Sequence, residues 1–260
     1  MTVKDFQSSS FLATKGAMVE PTYRAFQQWD LSRSLADNVR RIRQTNPIGA
    51  PSNGWLNDFG KLLLRRFDPL VEDRPLVELA QQGWDLEAWR PALLWHLSRT
   101  DPLLTDFLKS WLFELHEQGI VLIKPEAARE YLRSYLKSHL PADRSMWSDT
   151  NIAASAAGLL RSAVDFHLLR GRQVKHFEPY RLPDQSLVYL LHALMDKYQS
   201  TRRVVDADDW RLFLMRPSEV EEELLRLHQF GKLRFERAGS LLELTLPFST
   251  AADYARSRAG

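Results

Sequence analysis

The stretch from Trp84 to Gly119, WDLEAWRPALLWHLSRTDPLLTDFLKSWLFELHEQG, constrains the fold most, because it is the most apolar and most regularly periodic segment of the chain. Leu103, Leu104, Phe107, Leu108, Trp111, Leu112 and Leu115 recur at i, i+3 or i+4, the one-sided stripe of an amphipathic helix facing a core. Asp101 followed by Pro102 reads as an N-cap and a first-turn proline, and Gly119 as the stop. Upstream, Trp89, Leu93 and Leu97 share a face, while Pro91 predicts that the regular helix begins near it rather than at Leu86. The short link between the two helices predicts that they lie side by side as a hairpin. Such a segment is scaffold, so chemistry has to be sought in its flanks.

A chain of 260 residues with 44% hydrophobic content can bury the cores of two or three small modules. Arg90, His96, Arg99, Lys109 and Glu114 interrupt even the central stretch, so no run reaches the roughly 18 apolar residues of a membrane helix. The opening MTVKDFQSSSFLATKG lacks the apolar region of a secretory signal, and the absence of cysteine removes disulfides and thiolate metal sites. A cytoplasmic protein is expected, with no membrane partner. The formal charge of +2 is too small to mark a polyanion binder by itself.

Catalytic patterns are missing. The seven histidines are scattered without metal-binding spacing, and there is no glycine-rich phosphate loop or nucleophile elbow. His96, His116 and His192 fall in amphipathic helices and read as packing or surface residues. These observations predict a protein that is not an enzyme, with no cofactor, no metal site and no small-molecule substrate.

The fold class expected is mainly α, a multi-helix bundle with helix-turn-helix elements and a C-terminal winged helix carrying a small β-hairpin. Residues 1–20 read as a flexible arm, 21–83 as a basic helix-turn-helix region, 84–182 as a central bundle with a long helix over 148–170, 183–249 as the winged-helix-like module and 250–260 as a tail. A further helix beginning at Pro125 should end near Pro141. In the winged module, Ser218 and Glu221 have the spacing of a capping box, and the strands run over 232–236 and 242–246 around an Ala238-Gly239-Ser240 turn. That hairpin is the one β-structure expected.

The first candidate site is the helix pair between Leu31 and Phe67. Leu31, Leu35, Val39 and Ile42 mark one buried side, and Trp55, Phe59, Leu62, Leu63 and Phe67 the other. Arg33, Arg40, Arg41, Arg43, Lys61, Arg65 and Arg66 outnumber Asp37 and Asp58 on the outside. Asn57, Lys61 and Arg65 are spaced by four, one exposed face, with Arg66 at its edge. An α-helix fits the DNA major groove, where flanking cations neutralise phosphates and an amide such as Asn57 reads a base edge. The pattern equally describes solvated helix faces, and the connection over 44–54 is long for a compact helix-turn-helix.

The second candidate is the 148–170 helix and the strap after it. Thr150, Asn151 and Ser155 towards its N-terminus could approach phosphate, with Arg161, Arg170, Arg172 and Lys175 alongside. Its small face, Ala154, Ser155, Gly158 and Ser162, is better read as tight packing. In the winged module the would-be reading helix is acidic, with Glu219, Glu221, Glu222 and Glu223, which repels phosphate and suggests protein binding, although Lys232, Arg234 and Arg237 on the wing could touch a backbone.

The segments DNVRRIRQTNPIGAPSNGWLNDFGKLLLRRF, ALLWHLSRTDPLLTDFLKSWLFELHEQG and TNIAASAAGLLRSAVDFHLLRG together resemble the BrxA family of bacteriophage-exclusion (BREX) defence systems, over most of residues 20–250. The resemblance implies a largely helical cytoplasmic protein encoded beside a DNA methyltransferase and other defence proteins, with helix-turn-helix elements that bind double-stranded DNA. Its matched basic positions are Arg40, Arg41, Arg43, Lys61, Arg65 and Arg66, then Arg161 and Arg170. The long turn and the acidic last helix depart from that expectation. An assembly or adaptor module of the same defence complex that touches no nucleic acid is the competing reading, and RNA binding ranks below both.

Overall fold

The computed structural model describes residues 11–139, 147–239 and 241–257. In chain order, a helical turn over 11–15 precedes α1 (Val19–Gln27), α2 (Leu35–Thr45), α3 (Asn53–Arg66), α4 (Arg74–Gln81) and α5 (Leu86–Ser98). Next is α6, a rod of three segments: α-helical Pro102–Asp106, π-helical Phe107–Leu112 and α-helical Phe113–Glu117. The strand β1 (Leu122–Ile123) leads to α7 (Pro125–His139), α8 (Asp149–Asp165), β2 (Leu169–Arg170) and β3 (Lys175–Phe177). The chain then forms α9 (Asp184–Tyr198), α10 (Thr201–Val205), a 3-10 turn (Asp208–Phe213), α11 (Pro217–Gln229), β4 (Arg234–Ala238), β5 (Leu241–Thr245) and α12 (Ala251–Arg256). The fold is mainly α, as the periodicity predicts.

Packing sorts these elements into two compact units, each discontinuous in sequence. Among the described residues, those up to 19 and those within 101–180 form the first, and those within 20–100 and from 181 onward the second. The boundary at Thr100 and Asp101 falls inside the expected central hairpin. Its two helices therefore belong to different units: α5 is the core helix of the second and α6 part of the first.

In the second unit every residue of α5 from Ala88 to Leu97 is buried. The helix starts at Leu86, not near Pro91, because the Asp85 carboxylate caps it by accepting from the Ala88 N–H at 2.7 Å. Burial on all sides then holds the proline inside a regular helix. Helices α4 and α9 pack on α5, and α12 packs on both of those. The Trp89 indole donates to the Leu76 carbonyl at 2.9 Å and the Ser186 hydroxyl to the Ala88 carbonyl at 2.6 Å, tying α4 and α9 to α5. Helix α11 is capped differently from the sequence reading. Pro217 is its first residue and the Glu219 carboxylate reaches back to the Arg216 N–H at 2.7 Å, so Ser218 is not the cap. The hairpin β4–β5 is antiparallel, Arg234 facing Thr245 and Ala238 facing Leu241, while Ser240 of the expected turn lies outside the described residues.

In the first unit α7 and α8 pack together. The Asp101 and Ser148 caps are present, accepting from the N–H groups of Leu104 and Asn151. Pro141, the expected end of the α7 helix, is outside the described residues. The unit also holds a three-stranded antiparallel sheet in the order β1-β3-β2, which the sequence reading lacks. Strands of two or three residues are too short to show alternation.

The stretch expected to be a loose arm is packed from residue 11 onward, with Leu12, Ala13 and Ala17 buried. It lies against the small face of α8, as the packing reading of that face predicts. A Cβ on Gly158 would sit 1.8 Å from the Ala13 carbonyl oxygen, so only glycine admits this approach.

Candidate nucleic-acid interface

Helices α2 and α3 are built by local rules. Ser34 caps α2 by accepting from the Asp37 N–H at 3.1 Å, and Asn46, in the left-handed region at φ 45°, closes it. Ser52 caps α3 by accepting from the Trp55 N–H at 3.2 Å. Between them, the Asn46 side chain brackets the turn by accepting from the Ala50 N–H and donating to the Ala50 carbonyl. Val39 and Ile42 of α2 and Leu56, Phe59, Leu62 and Leu63 of α3 are buried. Gly60 sets the spacing, since a Cβ there would lie 2.8 Å from both the Arg43 guanidinium and Val39.

The expected basic residues divide into those the fold leaves outward and those it uses. Arg33, Arg40, Asn57, Lys61 and Arg65 are exposed. Three of these cations touch an acid on the same short segment: Arg33 with Asp30 at 2.8 Å, Arg40 with Asp37 at 2.7 Å and Lys61 with Asp58 at 3.4 Å. Hydrogen bonds from Ser32 and Ser34, with help from these arginines, hold the Asp30 and Asp37 carboxyls below their ordinary range. Arg41 instead folds back, donating to the Gln28 carbonyl and to Asn38 at 3.3 Å. Arg43 lies over Gly60 and donates to the Asn57 carbonyl at 3.4 Å.

Arg66 is a correction. It is 1% exposed, inside the unit, and cannot reach a ligand on the α3 face. The reason is angular: Arg65 and Arg66 are 100° apart on the helix, and Arg66 follows Leu62 and Leu63 onto the buried side.

In the first unit Thr150, Asn151, Arg161, Arg170 and Arg172 are exposed and Lys175 is half-buried. The N-terminus of α8 is partly committed, because the Asn151 N–H is taken by Ser148 and Asp149 beside it pairs with Arg133 at 2.8 Å. Lys175 donates to the carbonyls of Gly171 at 2.7 Å and Arg172 at 2.5 Å. Burial and then the Arg161 charge lower its pKa, against the Asp165 carboxylate.

The BrxA family model matches residues 8–193, more than half of the chain. The chain belongs to the BrxA family. As a BrxA-family member it has a role in bacteriophage-exclusion (BREX) phage defence. The match covers α1 through most of α9 and stops before α10, so the α11 and hairpin module lies beyond the matched residues. No curated protein gives a match. Among the described residues of this BrxA-family chain, no helix is long and apolar enough to cross a membrane.

One polar constellation escaped the sequence reading. Asp73, His96 and Tyr189 form a buried relay, with Asp73 Oδ1 2.6 Å from His96 Nδ1 and His96 Nε2 2.7 Å from the Tyr189 hydroxyl. The three residues are 23 and 93 positions apart, so no local spacing could have signalled it.

Proposed function

We propose that this BrxA-family protein is a non-enzymatic, cytoplasmic, double-stranded-DNA-binding component of the BREX system, which contacts the duplex through the outer faces of α2 and α3. The observation that carries this reading is the exposed row Asn57, Lys61 and Arg65 on α3, with Arg40 exposed on the α2 helix packed against it. The acids touching Arg40 and Lys61 do not prevent it. Exposed ion pairs one helical turn apart are worth only about 0.2–1 kcal/mol, and a phosphate can take their place. Arg161, Arg170, Arg172 and Lys175 offer a second patch on the other unit.

The test is fluorescence anisotropy with a labelled duplex across a salt series. Affinity should fall steeply with salt, and replacing Arg40, Lys61 and Arg65 by Ala should lower the slope of log K against log salt by about 0.9 for each phosphate contact removed. An undetectable affinity at low salt, or a slope unchanged in the triple variant, sinks the proposal.

The competing reading is a protein-assembly module for other defence proteins, a DNA methyltransferase among them. It is favoured by Phe230 and Leu241, 65% and 68% exposed beside the acidic α11. Co-purification of a defence partner that survives nuclease treatment, with no duplex affinity, would select it.

A further inference from the structure

The second unit carries a partly open pocket of about 450 Å³. Its walls are Trp95 of α5 and Arg99 just after it, Tyr189, Asp196 and Lys197 of α9, and Glu72, with the small side chains of Ala251 and Ala252 on the α12 side. The Asp73–His96–Tyr189 relay lies along one wall, and each of its residues is at most 2% exposed.

The relay fixes what that wall can offer. Burial alone would raise the Asp73 carboxyl, but its bonds to His96 and to the Asp68 N–H, with the Arg99 charge, hold it below the ordinary carboxylate range. It is therefore an acceptor, and His96 Nδ1 carries the proton that it accepts. Burial lowers the His96 pKa, so the ring is neutral and its Nε2 is bare. The Tyr189 hydroxyl must then donate to Nε2, which leaves only lone pairs on its oxygen for a ligand.

The charged walls point the same way. Arg99 stacks over Trp95 with its guanidinium 5.2 Å from the ring centre, and is matched by Glu72 and by Asp73 at 3.8 Å. Lys197 is matched by Asp209 at 2.9 Å, an oxygen that also accepts from Tyr198. Asp196 accepts from the Ala251 N–H at 2.8 Å, and among the described residues no cation pairs with it. Burial first, then the charges of Asp73, Asp196 and Glu78, push the Tyr189 phenol upward, against Arg99 alone. With Asp73 and Asp209 behind them, the acids Glu72 and Asp196 outnumber the cations Arg99 and Lys197, so the pocket is rich in acceptors, net negative and partly aromatic.

We propose that this cavity binds a small alkylammonium ion, a primary amine on a short aliphatic chain, whose N–H groups donate to the Asp196 carboxylate and the Tyr189 oxygen while its methylenes lie against Trp95. A carboxylate or phosphate would meet the same negative field, and a neutral alcohol would forgo the charge pairing. The site is separate from the α2–α3 face, so it stands or falls independently of DNA binding.

The experiment is isothermal calorimetry of the full chain with 1,4-diaminobutane at constant ionic strength. Saturable binding with a sub-millimolar Kd is expected, about −4 kcal/mol or better. Butanedioate and 1-butanol at equal concentration should give no saturable heat. Asp196→Asn keeps an acceptor for the Ala251 N–H while removing the charge, and should weaken the amine at least about tenfold. Ala252→Leu, which fills the cavity without altering charge, should abolish binding. Thermal melts establish that each variant is folded, and whichever variant is folded decides. The proposal is overturned if the amine gives no saturable heat, if butanedioate binds as well, or if a folded variant binds the amine like the parent chain.

Discussion

Two arginine-bearing regions of the second unit use the same side chain in opposite ways. On α3, on α2 and just before it, Lys61, Arg40 and Arg33 pair with an acid three positions away at the surface. On α11 and its hairpin two contacts join elements: Arg226 of α11, besides pairing with Glu223 on its own helix, bonds Asp184, 42 residues upstream, at 2.6 Å, and Arg237 of β4 bonds Glu221 of α11, while Arg234 pairs with the nearby Glu236. Arg226 is half-buried and its partners push its pKa upward. The first set is held by weak local contacts, whereas Arg226 and Arg237 of the second also join elements. A count of basic residues cannot distinguish them, whereas burial and the sequence distance to the partner can.

The largest test of this contrast sets two triple variants side by side. Replacing Arg40, Lys61 and Arg65 by Ala should cost at least about 100-fold in duplex affinity, about 2.7 kcal/mol. Replacing Lys232, Arg234 and Arg237 by Ala should change it by less than about threefold. Equal losses in anisotropy titrations would erase the distinction.

Next in size, Arg226→Ala should destabilise the protein by about 2 kcal/mol in urea unfolding, because a charge-assisted hydrogen-bond pair is lost and Asp184 is left unmatched. Duplex affinity should not move. The same variant sharpens the pH response. The Arg226 hydrogen bond holds the Asp184 carboxyl below its ordinary range, so this contribution is present above about pH 3.9, the unfolded value, and is lost as pH falls through the lower folded one. In acid titrations of stability the decline in that window should be shallower for Arg226→Ala than for the parent chain. The smallest effect belongs to Arg40→Ala, which should alter stability by less than about 0.5 kcal/mol. A loss comparable to that of Arg226→Ala would show that the exposed pairs are structural after all.

Much of the fold was legible because its signals are local. The apolar stripe of α6, the Asp101 and Ser148 caps and the alternation of β4 and β5 each occupy one short stretch of sequence. The failures are non-local or angular. The division between the units runs through the Thr100–Asp101 turn, which no local signal marks. A single 100° step from Arg65 is enough to turn Arg66 onto the buried side of α3. The small residues around Gly158 mark a packing surface, but its partner, residues 13 and 14, lies more than a hundred positions away. The histidine of the relay looked like a packing residue because its aspartate and tyrosine partners come from other helices and turns.

The interleaving of the two units has a consequence for how the chain is made. Helix α5 is enclosed by α4, which precedes it, and by α9, which follows roughly eighty residues later. During synthesis the first unit can complete its contacts once residue 180 has left the ribosome, while α1 to α5 must wait with an apolar helix uncovered until α9 emerges. A nascent chain stalled between those points should recruit chaperones through α5, and a ribosome pause there would be the moment at which this protein is most easily lost to aggregation.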